Sequence, residues 1–142
     1  MVDPRRFSDA VWAGDLAAVT AMIADGADVD AADPPRDPPL HLAVEQQWIE
    51  IVRQLLLAGA SIDAVSDQGW TLLEHAIDIE SDAAWQSHHE IGHECTEVSK
   101  LLLDAGAIPS ERAFKLAQDY GNQRALDLLA KYNHQGRTKR ST

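Results

Sequence analysis

The chain has 142 residues, of which 45% are apolar and 6% aromatic, and its single cysteine, Cys95, excludes an internal disulfide. Twelve Lys and Arg face 23 Asp and Glu, and a net charge of −11 excludes a nucleic-acid binder, which needs a basic face. The sequence has no apolar leader core near its start and no run of about 20 apolar residues. These features predict a soluble, cytoplasmic globular domain that does not interact with a membrane.

Three segments of the chain repeat one another, each with apolar residues at helical spacing followed by Gly-Ala. They are residues 22–31, 56–64 and 102–107, and Gly26 and Gly59 lie 33 residues apart. A period of this length indicates stacked helical units, each of which buries its apolar side against its neighbours. Glycine directly after such a helix predicts a left-handed helix stop, a conformation that glycine adopts at little cost.

These units resemble ankyrin repeats. The family signature Thr-Pro-Leu-His followed by Ala has its counterpart in Pro-Pro-Leu-His-Leu-Ala at residues 38–43, and a looser one in residues 67–76. Nearly all of residues 5–133 is covered by the resemblance. It implies an all-α ankyrin-repeat solenoid of about four helix-turn-helix units with short hairpin-like loops.

The repeats divide one predicted domain, residues 4–133, into units of about 4–31, 32–64, 65–107 and 108–133. The first unit lacks the loop signature and the fourth lacks the Gly-Ala stop, as expected of capping repeats. In the second unit Gln47-Trp48 stands where the family usually has Gly-His. The third is 14 residues longer than the period, and we place this insertion at residues 80–93. Residues 134–142 are predicted to be a disordered basic tail, which leaves a net charge of −14 on residues 1–133.

The insertion contains the sequence His-Glu-Ile-Gly-His at residues 89–93, a match to the zinc-binding motif His-Glu-x-x-His. A peptidase is not predicted, because Thr96 and Ser99 replace the glycine and third histidine of the extended motif, and because the flanking residues belong to helical repeats. Two interpretations stay open. The favoured one is a solvated loop or helix extension, and the other is a zinc or nickel site without catalysis. The candidate ligands are His88, His89, His93 and Cys95.

Other chemistry-bearing residues point to structure rather than to catalysis. His41 and His75 lie in or beside the loop signature, where family histidines bond to neighbouring loops. Cys95 precedes an apolar run and is expected to be a packed or partly exposed thiol. The sequence contains neither a glycine-rich phosphate loop nor an ordered Ser/His/Asp set, so we predict no enzyme activity and no cofactor.

By the resemblance, a protein partner would bind to the loop fingers and to the groove-facing positions of the first helices. The finger residues are Pro34, Pro35, Asp37, Asp67, Gln68 and Trp70, and the helix positions are Trp12, Glu45, Gln46, Asp78 and Ile79. Exposed tryptophan is a frequent hot-spot residue, and carboxylates around it favour a basic partner. The alternative is that Trp12 packs between units, Trp48 fills its turn, and the acidic residues only keep the chain soluble.

The sequence therefore predicts a monomeric, non-catalytic module that binds a protein with a basic surface. A sharper version, by analogy with small acidic ankyrin proteins of bacteria, is an inhibitor or an immunity protein that neutralises a toxin. The alternative is a metal-binding or metal-dependent protein that uses the His-rich insertion.

Overall fold

The computed structural model describes residues 2–31, 37–62, 65, 69–86 and 96–140. Over these residues the chain forms eight helices and no strand longer than an isolated bridge. The helices are α1 (Pro4–Ala13), α2 (Leu16–Ala24), α3 (Pro39–Gln46), α4 (Ile49–Leu57), α5 (Leu72–Gln86), α6 (Glu97–Asp104), α7 (Glu111–Tyr120) and α8 (Gln123–Arg140). The predicted all-α class is confirmed. None of the described helices is both long enough and apolar enough to cross a membrane.

The first half of the chain, residues 1–72, contains two helix pairs, each joined by a two-residue turn. Helix α1 packs on α3 and α2 packs on α4. Asp3 caps α1 by accepting the backbone N–H of Arg5 at 2.9 Å, and Asp15 caps α2 by accepting that of Ala18 at 3.1 Å. The buried side chains between the helices include Phe7, Val11, Val19, Leu40, Val44, Ile51, Val52 and Leu55.

In the first half, the segments that follow α2 and α4 recur at about the repeat period and contact each other. Oδ1 of Asp30 accepts the backbone N–H of Ser61 at 2.8 Å, so the segments after the two Gly-Ala stops are joined directly. Val65 and Thr71 form an isolated antiparallel bridge ahead of α5. This bridge lies where the resemblance implies a hairpin-like loop for the third unit.

The second half, residues 73–142, has α7 and α6 packed on α8. Ser110 caps α7 by accepting the N–H of Ala113 at 3.1 Å, and Asn122 caps α8 by accepting that of Ala125 at 3.0 Å. Val98, Leu102, Ala113, Ala117, Ala125 and Leu129 are among its buried residues. Helix α8 extends to Arg140, into the basic segment 134–142 that the sequence predicts to be disordered.

The predicted insertion, residues 80–93, begins inside a helix rather than in the connection between two helices. Helix α5 has 15 residues and ends at Gln86, so the first seven residues of the insertion lengthen it. The other seven lie outside the described residues. The first two inserted residues, Glu80 and Ser81, are buried, at 1% and 2% exposure, because they pack against α6 and the turn before α8.

Candidate protein-interaction surface

The predicted groove residues of the first half lie near the carboxyl ends of α1 and α3. Trp12 and Glu45 each stand two residues after a buried alanine, Ala10 or Ala43, and therefore occupy equivalent positions on two helices that pack together. Trp12 is 44% exposed. Glu45 is exposed and has no hydrogen bond or ion pair to another described residue, whereas Gln46 is half-buried. The structure thus brings an aromatic ring and an acidic side chain to neighbouring helix ends.

The turn between α3 and α4 places a second tryptophan at the same edge. The indole Nε1–H of Trp48 donates to the backbone oxygen of Trp12 at 3.2 Å. A Cβ built on Gly14 would stand 2.7 Å from Cε2 of Trp48, so the ring lies directly against the glycine backbone. Trp48 remains 38% exposed. Trp48 thus packs on the neighbouring turn between α1 and α2, and its exposed remainder adds apolar surface outside the predicted binding set.

The residue before Trp48 adopts a backbone conformation normally reserved for glycine. Gln47 has φ of 59°, as Gly14 and Gly121 have 74° and 69° at the equivalent turns. Its side-chain Nε2 donates to the carbonyl of Val44 at 3.0 Å. Such a left-handed residue costs about 1–2 kcal/mol when it carries a Cβ, and the local hydrogen bond offsets part of that cost.

One predicted finger residue, Asp37, stands at the opposite end of α3. Asp37 precedes the helix and is half-buried, and eight helical residues, about 12 Å, separate it from the carboxyl end where Glu45 lies. Trp70 is half-buried beside the Val65 bridge. The predicted binding residues of the first half therefore divide into two groups. Asp37 and Trp70 precede the first helix of their units and form the finger end, and Trp12, Glu45 and Gln46 near the helix carboxyl ends form the turn end. Pro34, Pro35, Asp67 and Gln68 lie outside the described residues.

In the second half, Asp78 occupies the position on α5 that Trp12 and Glu45 occupy on α1 and α3. Its Oδ1 accepts the hydroxyl of Tyr120 at 2.9 Å, and both Asp78 and Ile79 are half-buried. The hydrogen bond to Asp78, followed by burial and the charges of Asp78 and Asp82, raises the pKa of Tyr120 to about 12. The carboxylate of Asp78 is thus already engaged within the fold.

Buried polar residues link the loops of neighbouring units. His41 is buried, at 3% exposure, as expected of a structural histidine. At the equivalent position Glu74 is also buried, and its Oε2 accepts the hydroxyl of Ser110, the cap of α7, at 2.9 Å. Nη1 of Arg112 lies 3.8 Å from the other oxygen of Glu74. Glu74 therefore makes the connection to the next loop for which the family uses histidine, whereas His75 beside it is half-buried.

Glu80 is the polar residue with the largest structural role that sequence reasoning missed. Its two carboxylate oxygens accept the backbone N–H groups of Val98 and Ser99 at 3.0 and 2.9 Å, and Ser99 also donates its hydroxyl. Helix α6 has no capping bond from its own N-cap residue, Thr96. A side chain of α5 thus caps α6 across 18 residues of sequence. The absence of a capping residue before α6 is the signal that could have suggested a remote cap.

No group of three or more His, Cys, Asp or Glu side chains suited to a metal occurs among the described residues. The candidate ligands His88, His89, His93 and Cys95 lie outside that part of the chain. The metal-site interpretation accordingly stays a prediction.

Comparison with known proteins identifies the repeats. The family described as "Ankyrin repeats (3 copies)" matches residues 7–86, more than half of the chain. The chain belongs to the ankyrin-repeat family. An ankyrin-repeat chain is a protein–protein interaction module, and the all-α ankyrin-repeat fold predicted from the sequence is thereby confirmed.

Two curated proteins are similar to part of this ankyrin-repeat chain. Both are named "Protein phosphatase 1 regulatory subunit 27", one from Homo sapiens and one from Mus musculus, and each is 36% identical over 61 residues. The matched stretch covers 43% of this chain and 40% of either relative, so it spans less than half the length of the curated relatives.

Proposed function

We propose that this ankyrin-repeat chain is a non-catalytic module that binds a protein with a basic surface, and that the turn end of its first half is the main contact. The observation that carries the proposal is the 44% exposure of Trp12, together with an exposed carboxylate at the equivalent position of the neighbouring helix, Glu45, that pairs with no other described residue. A half-exposed tryptophan gains apolar contact area when a partner covers it, and tryptophan is enriched among binding hot spots. A neighbouring carboxylate selects a cationic partner.

The charge distribution supports a basic partner. Residues 1–72 carry 12 Asp and Glu against four Arg, a net charge of −8, whereas residues 73–142 carry 11 against eight Lys and Arg, a net charge of −3. The half that contains Trp12 is thus the more acidic. Opposite charge on a partner would accelerate association and make it sensitive to salt.

The similar proteins are named as regulatory subunits of a phosphatase, which supports a role exerted by binding rather than by catalysis. An inhibitory or toxin-neutralising role is the sharper form of the proposal. It requires that the bound partner lose its activity in a one-to-one complex, and an enzymatic assay of the purified complex would reveal this.

The test is a titration of the purified partner protein into the chain, which gives a dissociation constant at roughly 50 and at roughly 300 mM salt. We expect Trp12→Ala to weaken binding about tenfold, and Glu45→Lys to weaken it at low salt and less so at high salt. Leu57→Ala is the matched control, because Leu57 is 76% exposed on α4 but lies outside the predicted binding set. A complex that is equally sensitive to Leu57→Ala and Trp12→Ala, or insensitive to salt, would contradict the proposal.

The metal-binding alternative makes a separate prediction. Calorimetric titration with Zn²⁺ should show binding of one ion per chain. His93→Ala should abolish this binding, because an imidazole nitrogen would be lost from the ligand set. If the wild-type chain gives no isotherm, the insertion is not a zinc site.

A further inference from the structure

Three of the five large apolar residues that are exposed in the described part of the first half lie at the turns between paired helices; the other two are Leu57 and Val65. Trp12, Leu16 and Trp48 are 44%, 39% and 38% exposed, and they make up three of the six large apolar residues that are exposed among the described parts of the chain. All three lie at or beside the turns between paired helices. We call these three residues together with Glu45 the turn edge.

The indole of Trp48 and the backbone at the start of α2 are held in place within the fold. The indole N–H of Trp48 is fixed by its hydrogen bond to the backbone of Trp12, and the ring rests on Gly14. Leu16 begins α2, whose cap Asp15 is bonded to the N–H of Ala18. Binding to Trp48 therefore costs little additional ordering of that ring, which favours affinity for even a small ligand group.

The charge at the turn edge has one sign. Neither lysine nor arginine occurs in the described segments 7–31 and 37–52, which hold α1 beyond Arg6 and all of α2 and α3. An exposed carboxylate is present at Glu45. The faces of indole rings are themselves electronegative and attract cations. Indole rings and a carboxylate are the groups that bind a positively charged, partly apolar side chain.

We propose that the turn edge is a docking subsite for an arginine side chain flanked by an apolar residue on the partner protein. This rests on the proposed function and deepens it. Guanidinium fits better than ammonium, because it is planar, stacks on indole and can donate two parallel hydrogen bonds to one carboxylate such as that of Glu45. The neighbouring apolar side chain would cover Leu16.

A synthetic peptide, acetyl-Gly-Leu-Arg-Leu-Gly-amide, serves as the probe, and the same peptide with citrulline in place of arginine is its uncharged control. The chain has four tryptophans, so its nitrogen-15 correlation spectrum contains four indole signals, which Trp12→Ala and Trp48→Phe assign by loss of one each. We expect the arginine peptide to shift the signals of Trp12 and Trp48 in a saturable manner. The citrulline peptide should bind at least about fivefold more weakly.

Variants locate the subsite. Glu45→Gln should weaken binding of the arginine peptide about fivefold and Trp12→Ala about tenfold, whereas Leu57→Ala should leave it unchanged. Equal binding of both peptides, or shifts confined to the other two tryptophans, would overturn the proposal. So would indole shifts on dilution of the chain alone, because the edge would then be covered by a second copy.

The two proposals fail separately. If the full partner loses affinity with Trp12→Ala but the arginine peptide does not bind, the docking subsite is wrong and the proposed function stands. If the peptide binds at the turn edge but the partner is insensitive to Trp12→Ala, the subsite exists and the proposed main contact is wrong.

Discussion

At the scale of single residues, the contact of Gly14 with Trp48 shows how two distant positions depend on each other. Both Gly14 and Gly121 end a helix with positive φ, at 74° and 69°, yet a Cβ would meet the Trp48 ring only at Gly14 and would have open space at Gly121. The pair therefore separates the cost of backbone conformation from the cost of a steric clash.

We expect Gly121→Ala to destabilise the fold by about 1 kcal/mol, the cost of a left-handed alanine. Gly14→Ala should cost about 1–3 kcal/mol more, because its Cβ would stand 2.7 Å from the indole of Trp48. Urea denaturation measures both. In the background of Trp48→Ala the excess at Gly14 should vanish, and an excess that persists there would mean that the ring is not its cause.

The sequence identified Gln47-Trp48 as a departure from the family's Gly-His turn, and the structure explains how the departure is tolerated. Gln47 accepts the left-handed conformation with help from its bond to Val44, and Trp48 uses its indole N–H on the backbone of Trp12. The position of Trp48 could not be predicted from the sequence. Its hydrogen bond goes to a carbonyl 36 residues earlier, and its ring needs the absence of a side chain at Gly14.

At the scale of elements, the start of α6 depends on a carboxylate from α5. Glu80 is 1% exposed and accepts the N–H groups of Val98 and Ser99, which are among the orphan donors at any helix start. We expect Glu80→Gln to cost about 2 kcal/mol, because a neutral amide accepts more weakly and presents its NH₂ group to other donors.

Amide hydrogen exchange tests this cap directly. Exchange at Val98 and Ser99 should accelerate in Glu80→Gln but not in Glu97→Gln, which removes an exposed charge from the first turn of the same helix without touching the two amides. Equal acceleration in both variants would assign the effect to the helix dipole instead.

The bond between Tyr120 and Asp78 should make the second half sensitive to alkaline pH. The pKa of Tyr120 is raised from 10.0 to about 12, so the folded state favours the protonated phenol. Its contribution to stability is complete below pH 10 and is lost as the pH rises from 10 to 12. The hydrogen bond to Asp104 likewise raises the pKa of Tyr132.

These are the only two tyrosines in the chain, so each can be observed alone. In Tyr132→Phe, the ultraviolet absorbance of tyrosinate should develop with a midpoint near pH 12 when folded and near pH 10 in urea. Adding Asp78→Asn should lower the folded midpoint, because the hydrogen bond to the carboxylate of Asp78 is lost and its negative charge is removed. A folded midpoint near 10 in Tyr132→Phe would contradict the bond.

The repeat elements were predictable and their irregularities were not. The spacing of Gly26 and Gly59 located the helix pairs, because each unit repeats the same local pattern. Placing the insertion by excess length alone could not show that α5 continues to Gln86 or that Glu80 turns inward, and the second of these depends on hydrogen bonds to α6. The division of the predicted binding set into two ends of α3 likewise follows from helix length rather than from residue type.

At the scale of the whole molecule, the net charge of −11 opposes folding through repulsion among carboxylates. Sodium chloride should therefore raise the melting temperature at about pH 7.5, because it screens that repulsion. The increase should disappear close to the isoelectric point of about 4.7, where the net charge vanishes. A melting temperature at neutral pH that does not respond to salt would mean that the carboxylates are already compensated.

The remote cap also has a practical meaning for protein engineering. Glu80 on α5 binds the backbone N–H groups of the first turn of α6. These bonds position the start of α6 through its backbone, so they do not depend on which residues connect α5 to α6. Lengthening a connection whose ends are already joined costs little, about 0.6 kcal/mol for each doubling. We therefore expect a foreign peptide inserted between α5 and α6 to leave the bonds from Glu80 to Val98 and Ser99 intact.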